Sequence, residues 1–278
     1  MKSLSIIVAG RNDGYGDTGL TPYNSYAVDT YCFRMKTTIL HNIRLLKQRK
    51  VDVQYVIVDW SPIDGKTLDQ DPYIKELIEI FGSSIKHVVV HPDSVSERGW
   101  NSGNFYEYYA KNIGIRNADG DYVIITNPDN LFSEELCDSI AFTMRGEAKN
   151  EYYRPYSRKD VRRDLDNNIE ILAEGLSFLD APGTAASGDF VMALKSILIE
   201  KGQGYDETES THENKQQTTL DGSFLINLYL AGVHPVCLAG SVLHLDHAKP
   251  HLKDYIAMRS YQNNKNWGML KVEIRYYK

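Results

Sequence analysis

Three cysteines in 278 residues, Cys32, Cys137 and Cys237, are too few and too widely spaced for a disulfide framework or a paired-cysteine metal site. They read as buried thiols, because free cysteine behaves as a small hydrophobe. No apolar run approaches the roughly 20 residues that span a bilayer. The apolar stretch at residues 4–9 is too short for a secretory signal and runs straight into Gly10, Arg11, Asn12 and Asp13. Basic charge is also in short supply, since 31 Lys and Arg against 37 Asp and Glu leave a formal charge of -6. That balance argues against a general nucleic-acid binder, which draws its affinity from cations neutralising phosphates. An anionic ligand would have to be held locally. With no internal repeat and no true linker, the chain is expected to form one continuous cytoplasmic domain without a membrane span, and its 42% hydrophobic content is ordinary for a globular fold.

What is present alternates between strand and helix. Residues 4–9 and 53–58 are β-branched apolar runs, as are 87–90 and 121–125; between them lie helical patterns at 31–50, 74–81 and 105–116, with another at 134–144. That order implies a parallel sheet with covered faces. Residues 146–185 carry charge and turn formers with little periodicity and are expected to be irregular. Residues 186–193 restore an ordered segment, 207–218 read as a loop, 221–230 as a helix ended by Gly232, and 236–245 as a strand delivering His244 and His247.

The polar cluster Asn127, Pro128, Asp129 and Asn130 follows the strand at 121–125, and open α/β sheets bind ligands at the carboxyl ends of their strands. Asp129 with its flanking amides offers oxygen ligands suited to a hard cation and a diphosphate. Asp129 could instead cap the helix near Ser133 and Glu134.

Taken in order, the segments at 6–13, 56–60, 108–114, 127–129, 187–190 and 266–268 resemble a nucleotide-sugar glycosyltransferase of the GT-A fold, family-2-like, over nearly the whole chain. The resemblance implies an α/β fold: a Rossmann-like, mostly parallel sheet flanked by helices, with a C-terminal extension. Residues 1–145 would form the nucleotide-sugar-binding half and 146–278 the acceptor-side half. It places the nucleoside against Ala9, Gly10, Arg11 and Asn12 and against Asp59, with Lys111, Asn112 and Asn127 also on the donor side. The physics is compatible, since a carboxylate accepts from a base N–H or a ribose hydroxyl and glycine admits close backbone approach. The family's metal motif is a pair of acids one residue apart, and here Asn127 replaces the first. Mn2+ or Mg2+ would then rest mainly on Asp129 and the diphosphate, with a C-terminal histidine, His247 by preference or His244, completing the site. His244 and His247 lie on opposite faces of an extended strand, so only one reaches the ion.

For transfer with inversion, a base must take the acceptor hydroxyl proton. Asp221, at the start of a helix where the resemblance places an acidic base, is the first candidate and Asp189, in the segment the family puts beside the acceptor, the second, although Asp221 could instead be an N-cap. The tryptophans Trp60, Trp100 and Trp267 suit either core packing or stacking on a sugar. The implied partners are a nucleoside diphosphate sugar and a carbohydrate or glycosylated acceptor. The alternatives are a nucleotidyltransferase, which would want a more basic loop than residues 10–19, and a non-catalytic sugar-binding protein on the same fold.

Overall fold

Strand β1 (Ser3–Gly10) divides its side chains between two cores, with Leu4, Ile6 and Val8 on one face and Ile7 and Ala9 on the other. A strand buried on both faces belongs in the middle of a sheet. In the computed structural model, which describes residues 2–13, 30–163, 169–176, 189–207, 220–245 and 261–277, β1 is central to a ten-stranded mixed sheet. Its neighbours β2 (Asp52–Trp60) and β4 (Tyr122–Thr126) are both parallel to it. Outside β2 lie β3 (Ile85–Val90), parallel, and β10 (Val272–Tyr276), antiparallel. Beyond β4 the order is β8 (Phe190–Leu194), β6 (Glu151–Arg163), β9 (His234–Leu245) and β5 (Asn130–Phe132), with β7 (Ile169–Leu176) paired to β6. Six strands, β1, β2, β3, β4, β6 and β9, run one way and the other four oppose them.

Helices α1 (Tyr31–Gln48), α2 (Pro72–Phe81) and α5 (Glu134–Arg145) cover the Leu4 face. The Ile7 face is covered by α3 (Pro92–Glu97), α4 (Glu107–Asn117) and α7 (Leu220–Leu230), while the short α6 (Lys195–Ile197) runs into a π-helical turn at Leu198–Gly202. Local chemistry sets the helix starts. Thr30, Asp71 and Ser133 each accept a backbone N–H of the first turn through their side chains, and Pro72 occupies the first helical position of α2.

The chain runs outward from β1 to β2 and β3 and then returns to place β4 on the other side of β1. The carboxyl ends of β1 and β4 therefore flank a topological switch point, the natural crevice of such a sheet.

Two sequence expectations are corrected. Residues 151–163 and 169–176, expected to be irregular, are the long antiparallel pair β6 and β7. The apolar alternation is missing because Arg158 and Asp160 turn towards polar partners, Arg154 is buried within reach of the charges of Asp221 and Asp189, and β6 is bulged between Pro155 and Ser157 and again between Asp160 and Val161. Cys237, expected to be buried, is exposed, whereas Cys32 and Cys137 are buried. Cys237 sits on β9 next to Leu238, and alternation along the strand sends Leu238 into the core.

Helix α4 approaches the sheet closely because Gly114 has no side chain. A Cβ there would lie 2.4 Å from Ile7 Cγ2 and 3.2 Å from Val58 Cγ2. Gly114→Val is expected to lower the unfolding free energy by about 2 kcal/mol or more through overpacking. Gly175→Val, where nothing lies within 4 Å of the added Cβ, should stay within about 0.5 kcal/mol of the parent. Urea denaturation of the two variants checks the contrast.

Candidate active site at the switch point

The first wall of the crevice is built by β1 and β2. The Gly10 backbone is packed so tightly that a Cβ would lie 2.4 Å from Tyr31 Oη, which itself donates to the Ala9 carbonyl at 2.8 Å. A side chain at position 10 would have to displace the ends of Tyr31 and Met35 on the helix behind the strand. Arg11 is buried; its guanidinium donates to Asp13 at 2.7 Å and to the Gly103 carbonyl at 2.9 Å, and Asn12 donates to the Thr67 carbonyl at 3.3 Å. Asp59, at the end of β2, is fully buried. Its Oδ2 accepts the Leu68 N–H at 2.6 Å and lies 3.2 Å from His87 Nε2, while its Oδ1 has no hydrogen-bond partner among the described residues.

The second wall is the turn after β4. Asn127 is held from both sides, its Oδ1 accepting from Lys111 Nζ at 2.7 Å and its Nδ2 donating to Asp189 Oδ1 at 3.0 Å. Lys111 is fully buried and also pairs with Glu107 at 2.5 Å. Asp189 completes the anchoring, because its carbonyl accepts from Thr126 Oγ1 at 2.5 Å and Asn130 Nδ2 at 2.8 Å while its carboxylate pairs with Arg158. From Arg158 the chain of charges continues to Asp160 at 2.8 Å and His244 at 3.0 Å, and His244 Nε2 stands 3.7 Å from Asp129 Oδ2. The Asp160 carboxyl is held well below the usual carboxylate range, chiefly by its hydrogen bond to His244. A continuous polar run from Glu107 to Asp129, of acids and bases bridged once by the Asn127 amide, therefore crosses from α4 to β9.

The amide at 127 has a structural logic. An aspartate there would keep the Lys111 contact but face the Asp189 carboxylate with no hydrogen to share, and adjacent carboxylates resist joint ionisation.

Asp221 opens α7 from a buried position. Burial pushes its carboxyl up to about 7, opposed by the Gly222 N–H and by the positive charges of Arg154 and Lys111, with Asp189 adding to the rise. The Gly222 N–H reaches its Oδ1 at 2.9 Å. Buried Tyr108 and Tyr205 lie close enough to feel the same charge, and Arg154 is itself almost wholly buried.

The structure thus gathers Lys111, Asn127, Asp129, Asp189 and His244 into one network with Asp221 near it, and sets Ala9, Gly10, Arg11, Asn12 and Asp59 along the first wall. Asn112 has a different set of contacts. It is buried within α4, with both amide donors engaged by the Tyr205 carbonyl and Glu207 and its oxygen accepting the Tyr205 N–H. His247 lies outside the described residues, as do Ser187 and Gly188. Trp60 and Trp267 are core residues, and Trp100 stacks on Tyr109 at 4.4 Å. Sequence reasoning missed Glu107, Arg154, Arg158, Asp160 and His87. A signal existed for two of them, since Arg158 and Asp160 stand two apart and so share one face of a strand.

Among the described residues, no group of three or more His, Cys, Asp or Glu side chains is arranged to hold a metal ion. Asp129 and His244 supply one carboxylate and one imidazole side by side. This donor set suits a cation whose remaining ligands come from a substrate phosphate rather than from a closed protein cage. No described helix is long and apolar enough to cross a membrane.

No protein-family model and no curated protein matches the chain. Solved structures do resemble it. S. aureus TarS 1-349 in complex with UDP-GlcNAc superposes with a TM-score of 0.51 at 13% identity, covering 91% of this chain and 62% of that one. S. aureus TarS 1-349 alone gives 0.50 at 14% identity, covering 87% and 60%. The mannosyltransferase PcManGT from Pyrobaculum calidifontis, in complex with GDP-Man and Mn2+, gives 0.48 at 14% identity, covering 86% and 56%. The chain thus spans between 56% and 62% of the length of the chains in these three structures. With its six-strand majority direction, flanking helices and switch-point crevice, the protein has the GT-A-like α/β fold expected from the sequence, a fold it shares with the TarS structures.

Proposed function

We propose that the protein transfers a sugar from a nucleoside diphosphate donor to an acceptor hydroxyl, with inversion at the anomeric carbon. The observation that carries this reading is Asp221, a carboxyl raised by burial to about 7 beside the Lys111 and Asp189 network that ends at Asp129 and His244. A general base works best when its pKa lies near the operating pH. The shared fold with TarS, which has been seen with UDP-GlcNAc, supports a nucleotide-sugar donor.

In the proposed reaction the nucleoside lies along the first wall, where Asp59 Oδ1 accepts a hydrogen bond from the base or ribose. The diphosphate lies at the second wall. Asp129 and His244 would hold Mn2+ or Mg2+, which would neutralise charge on the departing diphosphate. Asp221 takes the proton of the acceptor hydroxyl as that oxygen bonds to the anomeric carbon. The bond from carbon to the diphosphate oxygen breaks, and the electron pair leaves with the nucleoside diphosphate. The β6 and β9 side of the crevice, carrying Arg158 and Asp160, faces the acceptor. A nucleotidyltransferase is less well supported, because Arg11 is already committed to Asp13 and Gly103.

Two outcomes test the assignment. Asp129→Ala should abolish divalent-dependent donor binding while leaving the circular dichroism spectrum unchanged. Calorimetric titration with and without Mn2+ measures it, and donor affinity that stays metal-dependent in the variant removes Asp129 from the site.

Asp221→Asn should lower turnover on the order of 100-fold or more. Wild-type turnover should climb as pH rises through about 7, where the Asp221 carboxyl ionises, and the variant should lose that limb. The same carboxyl should weaken the fold. It ionises near 3.8 when unfolded and near 7 when folded, so its cost is absent below 3.8, grows between the two values and is complete above 7. Asp221→Asn should therefore be more thermostable than the parent at pH 8 and not at pH 3.5. Wild-type turnover in the variant shifts the base to Asp189.

A further inference from the structure

On the α1 face of the sheet, behind the first wall, His87 of β3 is 2% exposed and packed among side chains from three other segments. Its Nε2 lies 3.2 Å from Asp59 Oδ2 on β2, and its Nδ1 lies 3.0 Å from Tyr277 Oη just past β10. Asp69 Oδ2, from the turn Leu68–Gln70, is 3.7 Å from Nδ1, 2.9 Å from Tyr277 Oη and 2.7 Å from Arg275.

The protons of this cluster can be assigned by bond-counting. A carboxylate oxygen only accepts, so the contact with Asp59 requires a hydrogen on Nε2. Tyr277 has one hydroxyl hydrogen and gives it to Asp69, so the contact with Tyr277 requires a hydrogen on Nδ1 as well. A histidine with both hydrogens is an imidazolium, and it sits between two acids. Asp59 is left with one oxygen occupied by His87 and the Leu68 N–H and the other, Oδ1, without a hydrogen-bond partner among the described residues.

We propose that His87 is a positioning residue for donor recognition. Its imidazolium clamps Asp59 Oδ2 and presents Oδ1 as an ionised acceptor to the nucleobase or ribose, while Arg275 and Tyr277 complete the clamp through Asp69. The inference rests on the nucleotide-sugar reading and adds to it a dependence of donor affinity on the C-terminal strand.

The groups facing His87 are Asp59 from β2, Asp69 from its turn, and Tyr277 beyond β10; Arg275 backs Asp69 and Glu273 backs Arg275. Burial lowers the His87 pKa, but the hydrogen bonds and charges of Asp59 and Asp69 outweigh it and hold the pKa above the usual 6.5. The clamp is therefore intact below 6.5 and lost as pH rises through the higher folded value.

Calorimetric titration of the whole chain with UDP and with GDP, between pH 6 and 9, tests the proposal on wild type, His87→Gln, Tyr277→Phe and Asp59→Asn. Wild-type affinity for the better probe should fall towards alkaline pH. His87→Gln should weaken binding about tenfold at pH 6 and flatten the pH dependence, as expected for the loss of one charge-assisted hydrogen bond. In turnover assays the loss should fall on the donor KM rather than on kcat. Tyr277→Phe should move the alkaline decline to lower pH, which keeps the test informative if His87→Gln folds poorly. Binding by His87→Gln and Tyr277→Phe that matches wild type in strength and pH dependence, with Asp59→Asn impaired, overturns the role of His87 and leaves the nucleotide-sugar reading standing. A wild-type protein that binds neither probe overturns both.

Discussion

Asp189 joins the turn after β4 to the long strand β6. Its carbonyl fixes Thr126 and Asn130, and its carboxylate takes Asn127 on one side and Arg158 on the other. The turn that carries Asp129 is thereby tied at once to β4, β5 and the long strand β6. Lys111 then finds its place because Asn127 is already oriented, and Asp160 and His244 find theirs because Arg158 is. Removing the carboxylate would leave Asn127 and Arg158 each short of a partner in a largely buried setting, where an unmatched polar group costs most. The proposed cation ligands are held in place by this chain of charged groups and the Asn127 amide and not by a rigid metal cage.

The same crevice holds groups that a purely structural core would avoid. Asp221 is a carboxyl kept near neutrality by burial, and Asp59 retains a buried oxygen with no hydrogen-bond partner among the described residues. Each costs stability in the folded chain. Sites that perform chemistry are where such costs are usually found, because a ligand or reacting atom supplies the missing partner. Asp59 and Asp221 lie on opposite faces of the sheet, with Asp59 beside the α1 core and Asp221 on α7 beside the α4 core.

The first half of the fold was legible because its strands are buried on both faces and announce themselves as apolar runs. Residues 4–9, 53–58, 87–90 and 121–125 became β1, β2, β3 and β4 with ends displaced by only a few residues. The strand-end placement of the candidate residues Asp59, Asn127 and Asp129 was legible for the same reason, since the apolar runs before them fix where the strands end. The second half was harder to read. β6 turns charged side chains towards the site, so its polar face hid the strand that carries it. His87 was read only as part of an apolar run, because its meaning depends on Tyr277, a residue 190 positions away. Asn112 was grouped with the donor side, yet its partners Tyr205 and Glu207 come from a segment whose approach no local pattern announces.

The most direct test of the central claim is to incubate the protein with a panel of nucleoside diphosphate sugars and Mn2+ and to follow the anomeric proton by NMR. The expected result is consumption of one donor, release of its nucleoside diphosphate, and a product of inverted anomeric configuration. An unchanged spectrum across the panel, with acceptors present, would contradict the assigned activity, and a product of retained configuration would contradict the role given to Asp221.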